Sequence, residues 1–152
     1  MMGVIRFAAA WLAAVVFMAL AGTAAQSVFV LTALADVGAP ITSGDALGMI
    51  VADLGALAPL YGALIAIAFA AAFLAGGLVV RASPLPRLLV YGAAGLIAMA
   101  VMLAAMEPVF FGVQPIAGAR SLAGQALQAG LGCLAGLIYA ALTARRKRPV
   151  PG

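Results

Sequence analysis

The side chains able to do chemistry in this 152-residue chain are few, and the missing types decide more than those present. Histidine is absent and cysteine occurs once, at Cys133. Bis-histidine haem ligation, histidine-containing zinc sites and imidazole proton relays are thereby excluded, and a lone thiol forms neither an internal disulfide nor a CxxC redox pair. The acidic residues are Asp36, Asp45, Asp53 and Glu107. The aspartates share one stretch, and calcium takes several oxygen ligands, but their spacing matches no EF-hand loop and they read as solvated carboxylates. A nucleophile or acid/base pair would have to come from these four, Ser43 and Ser121, which form no catalytic constellation. The chain reads as non-enzymatic, with no cofactor and no bound metal.

What remains are single charges, amides and thioethers. Glu107 and Arg120 flank a loop containing Pro108, Phe110, Phe111, Gly112, Pro115 and Gly118. They read either as an ion pair at a membrane boundary, with the phenylalanines among the headgroups, or as a functional pair. In the second reading Arg120 grips an anion or a lipid headgroup, since guanidinium matches phosphate geometry. Charge at that depth is costly without a partner, which makes the two the leading single-residue candidates. Gln125 and Gln128 are ligands on a solute path or interhelical hydrogen-bond partners worth about 0.6–2 kcal/mol each, and packing is the stronger reading. Gln26, beside Ser27, meets them if the first and fourth apolar stretches are neighbours. Gly92, Gly95, Met99, Met102 and Met106 fall on one helical stripe. Thioethers hold Cu(I), yet without histidine, adaptable packing beside glycine is the better account.

The elements that must position these residues follow from composition. The chain is 67% hydrophobic and 8% charged, against about 45–50% and 25% in soluble domains. Its solvent is lipid. A hydrocarbon core about 30 Å thick needs roughly 20 apolar residues per helix, and backbone polar groups facing lipid must be satisfied within the segment. Uncharged stretches at 7–35, 54–80, 88–106 and 121–144 are each long enough. They predict an all-α, polytopic four-transmembrane-helix bundle forming a single domain over 1–152, with spans at about 7–34, 56–80, 88–106 and 120–143. A long first extracytoplasmic loop and a basic tail at 145–152 complete it. In that loop the segment 46–57 reads as a short surface helix capped by Ser43 or Asp45. The link 81–87, stiffened by Pro84 and Pro86, makes the second and third spans antiparallel neighbours. The first stretch exceeds one span: it tilts, or it leaves the membrane near Thr23, Gln26 and Ser27 and continues at the interface. A competing reading makes the start a signal peptide cleaved after Ala19-Leu20-Ala21, against which apolar character resumes at 28–34.

Arg6, Arg81, Arg87 and the run Arg145, Arg146, Lys147 and Arg148 fall on one side of such a bundle, and the positive-inside rule makes that side cytoplasmic, with both termini there. The run follows an apolar segment, as in a membrane anchor, and no stacking aromatic array accompanies it, so no nucleic-acid partner is expected. Ala-, Gly- and Arg-rich, lysine-poor usage points to a bacterial inner membrane.

On the fourth span Ser121, Gly124, Gln125, Gln128, Gly132, Gly136 and Tyr139 gather on one face and leucines on the other, with Gly130 on the leucine side. In a membrane the small and amide-bearing face turns toward protein. No Asp, Glu, Lys or Arg lies deep in a span, which weighs against coupled transport. The expectation is a small non-catalytic accessory, assembly or scaffold subunit that packs against other membrane helices through Gly/Ala/Gln faces and contacts membrane lipids. The alternatives are a homo-oligomeric channel or facilitator for a small solute, or a binder of lipid or another hydrophobic ligand.

Overall fold

In the computed structural model, which describes residues 2–40, 42–109, 111 and 116–144, every regular element is helical. The four apolar stretches form α1 (Met2–Asp36), α3 (Ala58–Ala82), α4 (Arg87–Val109) and α5 (Leu122–Thr143), all long and apolar enough to cross a membrane. The expected tail at 145–152 and the loop residues Phe110, Gly112 and Pro115 lie outside the described residues. α1 packs on α3 and α5, and α4 packs on the same two, closing a four-membered ring. Met18 of α1, Ile65 and Phe69 of α3, and Met99 and Leu103 of α4 fill its axis.

α1 runs unbroken past Thr23, Gln26 and Ser27. Its 35 residues make a rod about 52 Å long at 1.5 Å per residue, well beyond the hydrocarbon thickness. Gly38 ends it in the left-handed region at φ 78°. Its N–H bonds Ala35 O at 2.9 Å and that of Ala39 bonds Leu34 O at 3.1 Å, the reciprocal pair of a Schellman stop.

The chain returns through α2 (Ser43–Ala56), which buries none of its residues and packs on α1 and α3. The surface helix is present, but its N-cap is Thr42, not Ser43 or Asp45. The Thr42 hydroxyl accepts the Asp45 N–H at 3.2 Å, and Asp45 Oδ2 accepts the Thr42 N–H at 3.0 Å and hydroxyl at 2.7 Å. The result is a capping box, in which the cap and the third helical residue satisfy each other. The Thr42 hydroxyl, and then its N–H, hold the Asp45 carboxyl below its ordinary pKa of 3.8. A depressed folded-state pKa stabilises at pH above the ordinary value and is lost as pH falls through the depressed one. The first-turn amides of α2 should therefore lose hydrogen-exchange protection on acidification below pH 3.8, while α4 and α5 keep theirs. Thr42→Ala should lower that protection by about 1 kcal/mol and flatten its pH dependence; an unchanged profile would remove the box as the cause.

Leu57 alone separates α2 from α3, whose first turn contains Pro59, a residue that fits there because the first N–H groups of a helix lack internal partners. At the other end Ser83, extended as a pre-proline residue prefers, stops α3 with its N–H on Val79 O at 2.9 Å.

Candidate functional site

The polar residues within the bundle collect where α1, α3 and α5 meet. Gly124, Gln128, Gly132 and Gly136 recur every four residues along α5, so they share its inward face, and all four are buried. Gln128, 2% exposed, sits where Gly22 of α1 comes against α5. Its Nε2 donates to Gly22 O at 2.9 Å and its Oε1 accepts from the Tyr61 hydroxyl at 3.0 Å. A carbonyl has two lone pairs, so Gly22 O takes this bond beside its helical one. Gly22 leaves room for this contact: a Cβ would lie 2.9 Å from Gln128 Oε1 and 3.0 Å from Tyr61 Cε1, so the amide would have to shift.

Gln26 is also buried, one turn along α1, but it is not the partner of Gln128. The 3-10 turn Ala117–Ala119 packs on it so closely that a Cβ on Gly118 would lie 2.8 Å from Gln26 Cα. Gln26 also borders a small cavity of about 110 Å³ with Leu57, Tyr61, Met106 and Ile116. Ser27 ties this level to α2: its hydroxyl lies 2.7 Å from Asp53 Oδ2 and 3.1 Å from Thr23 O. With one proton to give, the shorter carboxylate contact takes it.

The other candidates lie outside this knot. Gln125 is exposed, its Nε2 donating to Ala119 O at 3.0 Å, so it steadies the turn before α5 instead of facing the interior. Glu107 and Arg120 are exposed at the same end, on either side of the loop, where Phe111 is 99% exposed. The expected meeting of first and fourth spans is present, and it joins Gln128 to α1 through backbone.

A second polar cluster, at the opposite end, was not anticipated as a site. Arg6 donates to Thr143 O and Arg87 donates to Thr143 Oγ1, which in turn donates to Tyr139 O at 2.6 Å. The Arg87 guanidinium lies 4.9 Å from the Tyr91 ring centre, within cation–π range. Phe73 stacks on Tyr139 at 4.3 Å, and Tyr91 meets Tyr139 edge-on at 4.9 Å. The start of α1, the start of α4 and the end of α5 thus share one end, as four crossings require. The clue was the spacing Tyr61, Ile65, Phe69, Phe73, which marks the inward face of α3 at i, i+4 intervals.

The amide of Gln128 bonds on both sides within the bundle, to the Gly22 carbonyl of α1 and the Tyr61 hydroxyl of α3, so it links three helices. Comparison with protein-family models, with curated proteins and with solved structures finds no match to this chain.

Proposed function

We propose that this chain is a non-catalytic accessory or scaffold subunit of a bacterial inner membrane, both termini cytoplasmic, that seats another membrane helix in the groove between α3 and α4. The groove carries this reading. Two adjoining depressions of about 340 and 470 Å³ share Ala72 and Ile97 and run along the outside of the bundle. Their floor includes Ala68, Ala71, Ala72, Ala75, Ala93 and Ala94. Lipid-facing positions gain nothing from small side chains, whereas a second helix needs them for close backbone approach. Only 22% of the spanning window of α3 is buried, half the 44% of α4, so α3 has the most surface to offer. The glycines of α4 and α5 pack against each other, which leaves the alanine groove for a partner.

Native mass spectrometry of the protein extracted with its neighbours should show a stoichiometric partner or a second copy. Ala72→Leu should weaken that association about tenfold, a loss of roughly 1.4 kcal/mol; because Ala72 is half-buried against the core, the monomer's thermal stability is followed alongside, and Ala71→Leu, at an exposed position of the same groove, should weaken the association without a stability loss. A chain that emerges alone with lipid, or an association indifferent to Ala72→Leu, would overturn the proposal.

A further inference from the structure

Two adjoining cavities of about 430 and 340 Å³ open between α1 and α3 at the end that carries Arg6, Arg81 and Arg87, and both are bordered by Phe7, Phe73, Leu74 and Tyr139. Arg81 and Arg87 line the larger, and Trp11 lines the smaller. Arg87 is drawn inward, with one terminal nitrogen on Thr143 and its plane near Tyr91. Its Nε, and Nε1 of Trp11, are shielded from solvent without a hydrogen-bond partner. A shut-in N–H without an acceptor is costly and uncommon. Among the described residues no carboxylate side chain lies at this end: Asp36, Asp45, Asp53 and Glu107 all belong to the opposite end, on α2 or at the far ends of α1 and α4. A cleft lined by two guanidinium groups, one of them with an unpartnered N–H, and with no described carboxylate beside them suits an external anion. The walls that continue from the arginines into the smaller cavity are aromatic and aliphatic, and Val4, Phe7 and Leu78, which line the larger one, are exposed on the outside of the bundle.

We infer that this cleft binds a phosphate-bearing membrane lipid, its phosphate on Arg81 and Arg87 and an acyl chain between α1 and α3 along Phe7, Trp11 and Leu74. Guanidinium groups suit phosphate oxygens as a planar fork of donors, and the apolar walls select a phosphate that carries a chain.

Trp11 is the chain's single tryptophan and reports on the cleft directly. The full-length protein is reconstituted in phosphatidylcholine vesicles containing either phosphatidylglycerol or phosphatidylcholine brominated on its acyl chains. Brominated phosphatidylglycerol should quench Trp11 at the lower mole fraction, and Arg81→Gln should cost about fivefold of that preference, the contribution of one interfacial arginine. Gly77→Leu should abolish the preference by filling the larger cavity; a Cβ there meets only Tyr91 Oη, at 3.4 Å, and α-helical circular dichroism checks that the fold is retained. Equal quenching by the two lipids, or a preference that survives both substitutions, overturns the site. If inorganic phosphate in the buffer erases the preference outright, soluble phosphate is the occupant and the lipid assignment fails.

Discussion

Gly136→Val is expected to prevent the bundle from forming, and Gly136→Ala to cost about 3 kcal/mol, the upper end for overpacking a close-packed interior. A Cβ on Gly136 would lie 1.9 Å from Tyr91 O and 3.1 Å from Gly92 Cα. Across the same seam, Cβ atoms on Gly95 and Gly132 would lie 2.1 Å and 2.5 Å from each other's carbonyl oxygens. These obstacles are main chain and cannot rotate aside, so the only relief is to drive α4 and α5 apart along their length. Lipid tails are as apolar as the side chains, so the seam is held by van der Waals contact, which falls away within an ångström of separation. Gly130 is the control, since nothing lies within 4 Å of a Cβ there. Gly130→Ala should be neutral or gain about 0.5–1 kcal/mol from helix propensity. Unfolding by heat or by SDS titration should rank Gly136→Val below Gly136→Ala, both below the parent, and Gly130→Ala at or above it. A Gly136→Ala protein as stable as the parent would contradict the helix spacing.

Gln128→Ala should cost about 2–4 kcal/mol, combining the cavity left by a fully enclosed side chain with the loss of two hydrogen bonds. Gln128→Met separates the terms, because it keeps volume and flexibility while removing both bonds. It strands the Tyr61 hydroxyl, so Tyr61→Phe in the Gln128→Met background should recover part of the loss. A double-mutant cycle on Tyr61 and Gln128 should give about 0.6–1.7 kcal/mol of coupling, the range measured within membranes. Gln125→Ala, at an exposed side chain bonded only to the turn, should change stability far less. Equal effects at 125 and 128, or no coupling to Tyr61, would dissolve the knot as a structural unit.

The two glutamines show what was legible in the residues and what was not. The four spans could be read from length and charge alone, because lipid forbids unpaired backbone and so leaves helix as the only option for these stretches. The inward face of α5 could be read from its glycine spacing. Gln125 and Gln128 stand three residues apart, about 60° around the helix, and the wheel placed them together. What separates them is height: Gln128 lies alongside Gly22 within the bundle, while Gln125 is level with the turn at Ala119. The partner of Gln128 on α1 is a carbonyl, which no residue type announces, and α1 is apolar on nearly every side, so its inward stripe has little contrast. Thr42 was passed over in favour of Ser43, an equally competent cap type; the aspartate three residues on from Thr42 completes the box and decides between them. The basic end was located from its arginines, but their acceptor is Thr143, and threonine near the end of a span carries no such signal.

That acceptor has a consequence for how the molecule is made. Arg6 enters with the first crossing and Arg87 with the third, while Thr143 is the last residue of the fourth. During synthesis both cations wait at the interface with no intramolecular acceptor at Thr143 until the final helix has been delivered. Closure at this end thus coincides with completion of the final crossing, and a product that stalls before its fourth helix presents bare guanidinium groups that the finished protein has already tied down.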